Sequence, residues 1–294
     1  MEVGGQVMEI IKGYRDNEML RGSLCDLANE TFGIDLRSWY DAGFWRDDYI
    51  PYSVAEEGRI VSNVSVSVCN IKLRSRVHHL AQLGTVMTGR DQRNKGYCSR
   101  IMEKVISDCE RSFEGTFLYA EDNMTEFYEQ FGFRKIKEYQ CRKRVNITNR
   151  ANIEKVPVDS EEDRDRMVDI IQKKGQYGER IMVNNPGLFM FHITGPLSDC
   201  VYYLPSCESY AIARIEDRRL YLYAVFTGEK IGLGEVISSF GSDVGSVYLM
   251  FTPENNTGFD QVAIEDDENV LFVRGGFFES AGNERFMFPR IAQA

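Results

Sequence analysis

No run in these 294 residues approaches eighteen consecutive apolar positions, so no membrane-spanning helix is expected. The first twenty residues, MEVGGQVMEIIKGYRDNEML, have neither the charged start nor the apolar core of a signal peptide. Seven cysteines (Cys25, Cys69, Cys98, Cys109, Cys141, Cys200, Cys207) form no C-x-x-C pair and no zinc spacing. An odd, scattered set of this kind indicates reduced thiols rather than a disulfide framework, and a soluble cytoplasmic protein is the expectation. Positive charge is short: 35 Lys and Arg against 45 Asp and Glu leave a net −10. That balance excludes a general nucleic-acid binder, which needs a basic face to release counterions. The acidic surface either serves solubility or draws cationic substrates such as amines. Neither G-x-x-x-x-G-K-[ST] nor G-x-G-x-x-G occurs, and no metal constellation is visible.

What is present is a globular composition, 43% hydrophobic and 12% aromatic, on a chain long enough for two domains. Residues 8–12 (MEIIK) suit a first strand. Met19, Leu20, Leu24, Leu27 and Phe32 recur at helical spacing over 18–32. Residues 36–50 hold both tryptophans, and Trp39, Phe44 and Trp45 either pack on the core or line a substrate pocket. Val64, Val66 and Val68 alternate with Ser65, Ser67 and Cys69, so 52–73 read as an antiparallel hairpin turning at Glu57-Gly58. Residues 74–79 read as a polar link. The unbroken run LAQLGTVMT at 80–88 reads as a central strand covered on both faces.

The chemistry concentrates in 83–133. After the strand comes a basic turn, Arg90-Asp91-Gln92-Arg93-Asn94-Lys95-Gly96. Then Cys98, Ile101, Met102, Val105, Ile106 and Cys109 mark an amphipathic helix starting near 97–99. A glycine at a helix entry lets the backbone approach a ligand, and the first-turn N–H groups lack intrahelical partners. Backed by the helix dipole, Arg93 and Lys95, they suit a phosphate or pyrophosphate. The bland alternative is an ordinary strand–turn–helix with solvated cations. A second strand at 116–120 (TFLYA) would lie parallel to the first. Asn123 reads as the N-cap of a short helix whose face carries Met124, Phe127, Tyr128 and Phe131, closed by Gly132. Both helices would start at one sheet edge, where α/β folds bind ligands.

On these motifs the segment resembles the acetyl-CoA-binding core of the GNAT N-acetyltransferases. Their [RQ]-x-x-G-x-[GA] signature matches at Arg93-Asn94-Lys95-Gly96-Tyr97, with Cys98 where Gly or Ala is usual. LGTVMT resembles the family's splayed fourth strand, and Asn123 with FYEQFGF at 127–133 resembles its N…FYxxxGF segment. The resemblance covers about residues 8–145. It implies acetyl-CoA as cosubstrate, with no metal, and a small primary amine as acceptor. It also implies that Val86, Met87 and Thr88 pair with the pantetheine arm and that the amides of Arg93, Asn94, Lys95, Gly96, Tyr97, Cys98 and Ser99 hold the pyrophosphate. Asn123 would touch the pantetheine, and Tyr128 would protonate the leaving thiolate as the amine attacks the thioester directly. Where the histone-acetylating branch carries a glutamate base, this chain has Gln82. Candidates for a direct or water-relayed base are Glu121 foremost, then Asp122, His78, His79 and Glu56. In larger two-domain relatives, which include aminoglycoside acetyltransferases, the C-terminus enters the acetyltransferase site, so FPRIAQA is a further candidate.

The implied fold class is α/β (α+β): a mixed, mostly antiparallel sheet with a splayed parallel pair over 1–146, then a linker over 147–160. A second domain is expected over 161–294. Its elements repeat the order of the first half. They are a helix at 161–175, strand-like runs at 187–193, 200–204, 209–216 and 219–226, a helix at 231–240, a strand at SVYLMF and a final hairpin from 270–274 and 284–291. No CoA signature follows its strand YLYAVF; Glu229 and Glu235 crowd the equivalent turn, with Lys230 its only cation. A degenerate GNAT-like domain that completes the acceptor pocket is one reading and an unrelated α+β domain the other. His192 reads as a buried, satisfied histidine. Three functions stay open: a small-molecule N-acetyltransferase, a non-catalytic acyl-CoA sensor, and a peptide or protein N-acetyltransferase. Monomer and homodimer are both compatible.

Overall fold

The structure, a computed structural model, describes residues 9–73, 76–176, 181–228, 231–280 and 284–294. The first half runs β1 (Ile11–Lys12), α1 (Glu18–Phe32), α2 (Leu36–Asp41), β2 (Tyr49–Glu56), β3 (Arg59–Leu73) and β4 (Arg76–Thr88). It continues with α3 (Tyr97–Ser112), β5 (Gly115–Ala120), α4 (Thr125–Glu129), β6 (Arg134–Ile136) and β7 (Tyr139–Arg144). The second half adds β8 (Glu154–Lys155), α5 (Glu161–Lys174), β9 (Ile181–Asn184), α6 (Pro186–Thr194), β10 (Val201–Leu204), β11 (Ser209–Glu216) and β12 (Arg219–Phe226). It ends with α7 (Leu233–Ser239), β13 (Ser246–Leu249), β14 (Asp260–Ala263), β15 (Val270–Arg274) and α8 (Gly276–Ser280).

Local chemistry explains several boundaries. Asn17 caps α1 by accepting from the Leu20 N–H, and Gly33 ends it at φ 68°, where a side chain would cost backbone strain. Ser160 and Asp163 form a reciprocal capping box at the start of α5. The alternating valines place β2 and β3 in an antiparallel ladder from Tyr49↔Ser67 to Glu56↔Arg59. Residues 76–79, expected as link, instead lengthen β4. They pair with β3, Glu114 satisfies the backbone of His79 by accepting from its N–H (3.1 Å) and donating to its carbonyl (2.8 Å), and His79 Nδ1 lies 2.6 Å from Asn70 Oδ1. Residues 74 and 75 of that link, and Met8 of the expected first strand, lie outside the described residues.

Two sheets result, and they exchange strands. The first has the order β1-β2-β3-β4-β5-β15-β6, with β9 added against the end of β3. The second has the order β14-β7-β13-β12-β11-β10-β8. Thus β15 enters the first sheet between β5 and β6, while β7 enters the second between β14 and β13. Phe272 of β15, fully buried, packs in the same core as Leu118, Met102 and Tyr128. The sheets are covalently interleaved across the expected boundary near 146.

Two expected strands take other forms. Residues 187–193 lie in α6, which Asn185 caps from the Leu188 N–H and Pro186 opens at its first turn. This helix is apolar on nearly every side because it is buried between layers, so no periodicity betrays it. Residues 284–291 do not pair with β15 as a hairpin. They run as an irregular strap ending in a 3-10 turn at Arg290–Ala292. No helix among the described residues is long and apolar enough to cross a membrane.

Candidate active site

The site begins where two parallel strands part. β4 and β5 pair from Leu80↔Gly115 to Leu83↔Leu118 and no further. Beyond Leu83, β4 keeps its β3 partner through a register shift opposite Asn63 and Ser65. There Thr85 takes φ 44°, held by Asn63 Nδ2 donating to its carbonyl (2.8 Å) and by a 2.8 Å hydrogen bond between the Tyr49 hydroxyl and Thr85 Oγ1. The edge of β4 facing β5 is left without a strand partner from Gly84 to Thr88, so its backbone groups can serve a ligand.

The turn after β4 supplies the anion site. Asn94 and Gly96 have φ 63° and 80°. Gly96 enters α3 with no side-chain cap, and a Cβ built on it would meet nothing within 4 Å. The entry of this 16-residue helix therefore has room for a ligand beside its first turn, where the N–H groups lack intrahelical partners. Ile101, Met102, Val105, Ile106 and Cys109 bury the opposite stripe and fix the helix on the sheet.

Tyr128 projects from α4 and is 3% exposed, ringed by Phe127 (5.1 Å between centroids), Phe272 (5.2 Å) and Phe133 (6.2 Å). Burial pushes its hydroxyl well above the ordinary tyrosine range, so it stays protonated. The Cys98 thiol is likewise pushed up by burial, to about 11.

One cavity of about 1420 Å³ joins these features. Val86, Met87 and Thr88 line it, as do Arg93, Asn94, Gly96, Tyr97, Cys98 and Ser99 of the turn and helix entry. Glu121, Asn123 and Tyr128 close the far side. Lys95 is not in the lining; its ammonium bonds the Gln92 side chain. Asn123 is not the cap of α4. Residues Asp122–Met124 form a 3-10 turn, and Asn123 Nδ2 donates to Glu121 Oε2 at 2.8 Å. Of the candidate side-chain bases Glu121 alone lines the large cavity, and Ala294, the last residue of the FPRIAQA candidate, lines it as well. Glu56 accepts from the Tyr97 hydroxyl, and His78 Nδ1 lies 3.0 Å from Glu114. His79 pairs with Asn70, and Asp122 forms a 2.7 Å ion pair with Lys135. Phe44 and Trp45 are core, whereas Trp39 and Tyr49 reach the cavity wall.

Gln82, fully buried, has a structural task. With the amide orientation its partners dictate, Nε2 donates to the Ala292 carbonyl (2.9 Å) and Oε1 accepts from the Ala294 N–H (2.7 Å). A glutamate could not supply both. Alongside, a Cβ on Gly84 would lie 3.1 Å from the Ala294 carbonyl carbon, so glycine is what admits the strap into the splay. The strap is anchored below by Arg290 on Glu138 (2.8 Å), both side chains nearly buried. Glu138 also accepts from the Phe288 N–H (2.9 Å) and the Tyr119 hydroxyl (3.0 Å). His192 Nε2 donates to the Gln293 carbonyl at 2.6 Å, and burial pushes its pKa down, so the ring is neutral.

Sequence reasoning missed Glu268 and the α6 residues Leu188 and Phe191, all of which line the cavity; His192, read as a buried, satisfied histidine, is satisfied by Gln293 and lines the cavity too. Nothing local marks Glu268; it arrives beside Glu121 because β15 is inserted next to β5. Glu229 and Lys230, weighed for a second anion site, lie outside the described residues.

No curated protein matches the chain. Among solved structures, an N-acyltransferase candidate from Enterococcus faecalis V583 shares the fold over 92% of this chain and 73% of its own, at 14% identity and TM-score 0.59. A GCN5-related N-acetyltransferase from Kribbella flavida does so over 95% and 74%, at 12% identity and TM-score 0.56. Eis1 from Mycobacterium abscessus does so over 90% and 73%, at 11% identity and TM-score 0.55. These likenesses show a common two-sheet fold. The family model for the acetyltransferase (GNAT) domain matches residues 28–136, the span holding the splay, the glycine turn and Tyr128. Over that span the chain matches the GNAT acetyltransferase domain, and across most of its length it shares the fold of these solved structures.

Proposed function

We propose that this chain transfers the acetyl group of acetyl-CoA to the primary amine of a small molecule. The observation that carries the reading is a buried, protonated Tyr128 in the same cavity as an unpaired strand edge and an open helix N-terminus. The residues fit the cosubstrate. The free edge from Gly84 to Thr88 suits the amide-bearing pantetheine arm, and the amides after Arg93 suit the pyrophosphate. The cavity exceeds the roughly 300–1,000 Å³ of a single small-molecule site, which leaves room for two reactants.

Bound acetyl-CoA supplies a thioester carbonyl open to attack. The β4 amides stabilise the oxyanion that develops on its oxygen. As the amine nitrogen bonds to that carbon and the C–S bond breaks, Tyr128 gives its proton to the departing sulfur. The proton lost by the amine passes to Glu121, directly or through water. Leu188, Phe191 and His192 of α6 make the second half a wall of the acceptor side. The free state of all seven cysteines fits a reducing, cytoplasmic setting.

Thiol release from acetyl-CoA against a panel of primary amines tests this. Tyr128→Phe should lower kcat by about 10²–10⁴-fold, the usual worth of a general acid, with acetyl-CoA binding unchanged. An unaltered rate removes Tyr128 from the acid role. Binding of acetyl-CoA without turnover of any amine would instead make the chain an acyl-CoA sensor.

A further inference from the structure

Beyond the cosubstrate cleft the same cavity has a second end of different chemistry. Its wall is built by Ile34, Leu36, Trp39 and Tyr49 from the first half and by Leu188 and Phe191 of α6. Trp39 meets Tyr49 edge-on at 5.1 Å and Phe191 edge-on at 5.7 Å, so three rings from both halves form one apolar surface. Phe32 and Met124, 51% and 38% exposed, also line the cavity; they are two of the five most exposed large apolar side chains among the described residues. Exposed apolar bulk gathered at a cavity is characteristic of a binding surface.

The polar atoms of this wall are already engaged within the protein. Trp39 Nε1 donates to the Gly187 carbonyl (2.8 Å), the Tyr49 hydroxyl is bonded to Thr85, and His192 Nε2 is bonded to Gln293. What the wall offers a ligand is ring and methyl surface. A hydroxyl-rich acceptor would shed its water there without replacement partners, which disfavours its binding. Charge is distributed as unevenly. The side-chain carboxylates lining the cavity are Glu121 and Glu268, with Ala294 at the chain's end also in the lining, and among the described residues its only lining Lys or Arg is Arg93, at the anion turn. An ammonium thus meets carboxylates on its way to the thioester, whereas a carboxylate on the acceptor meets no cation among the described residues at this end.

We infer that the acceptor is a primary amine borne on an apolar, aromatic-sized body that lacks a carboxylate; this rests on the acetyl-transfer reading above. The aromatic body packs against Trp39, Tyr49 and Phe191, and the amine points to the carboxylate side.

The test pairs acetyl-CoA binding by calorimetry with thiol release for four acceptors: 2-phenylethylamine, phenylalanine, putrescine and glucosamine. The expected result is a kcat/KM for 2-phenylethylamine at least tenfold above each of the others. Phe191→Ala should raise its KM about tenfold with the KM of acetyl-CoA unchanged. Because Phe191 is half-buried, Phe32→Ser at the exposed rim serves as a second variant, with a smaller rise of the same kind. If acetyl-CoA binds and putrescine, glucosamine or phenylalanine equals or exceeds 2-phenylethylamine, the inference falls and acetyl transfer stands. If the aromatic amine is preferred but neither variant moves its KM, the assigned wall is wrong. If acetyl-CoA does not bind, or binds with no turnover of any amine, the acetyl-transfer reading itself falls and takes this inference with it.

Discussion

The two sheets contain the same local sequence of events, a parallel strand pair whose first strand leads into a turn and helix, yet among the described residues the large cavity opens at the first. In the first sheet β4 and β5 part after Leu83, Gly96 enters a 16-residue helix at φ 80°, and the gap is lined for a ligand. In the second, β12 and β13 pair from Arg219↔Ser246 to Leu222↔Leu249, but α7 is seven residues long and Gly232 precedes it at an ordinary φ of −86°. Where those strands end, the strap stitches the gap: the Arg290 N–H donates to the Met250 carbonyl (2.9 Å), and the Met287 N–H to Thr252 Oγ1 (2.7 Å). Phe226, Leu249 and Phe251 are fully buried there. Glu235 in the first turn of α7 would repel an anion. A strand–turn–helix becomes an anion site only when the helix is long, its entry is open and protein does not fill the gap. The same strap that fills the second gap continues into the first, where Gln82 and Gly84 receive it.

That comparison can be broken at several points. Arg290→Ala should have the largest effect, because it leaves Glu138 buried without its cation. Denaturant unfolding should show a loss of about 3–5 kcal/mol, and acetyl-CoA binding should weaken as the strap loosens. A loss no greater than that of an exposed pair such as Lys173–Asp169 would show that the strap does not depend on this anchor. Gln82→Glu should cost about 1–3 kcal/mol by leaving the Ala292 carbonyl without its donor. A faster enzyme instead would mean that the missing base, not the strap, dominates at this position. Gly96→Ala and Gly232→Ala contrast the two helix entries directly. The first should lose about 1–2 kcal/mol to positive-φ strain and raise the KM for acetyl-CoA, while the second should leave both unchanged.

The smallest effect concerns the first sheet's frame. Asp108 of α3 is desolvated, which alone would raise its pKa, but Lys104 and Lys12 with the Tyr52 hydroxyl overcome this and hold it at about 2. Its folded pKa lies below the unfolded value near 3.8, so its contribution is present above pH 4 and fades as pH falls through 2. Asp108→Asn should therefore destabilise by roughly 1 kcal/mol or less at neutral pH, and the difference should vanish in acid. A difference that persists at pH 2 would assign the effect to packing.

The sequence made the first half legible because its signals are local. Five residues at helical spacing gave α1, alternating valines gave β3, and a basic turn with Gly96 before an apolar stripe gave the entry to α3. The strand exchange was not legible, since nothing in VLFVR or YQCRKR states which sheet each will join; that is decided by long-range pairing. The helix α6 was misread because a short, wholly apolar run has no period to read. The acceptor wall was only half visible. Trp39 stood out as an aromatic among charges, but Phe191 meets Trp39, and Glu268 comes beside Glu121, from the distant second half of the chain.

Calorimetric titration of the intact chain with acetyl-CoA tests the central claim most directly. One site per chain is predicted, abolished or strongly weakened by Gly96→Val and retained by Gly232→Val. Two sites, no site, or a site that survives Gly96→Val and is lost with Gly232→Val would contradict the assignment of the cleft to the first sheet.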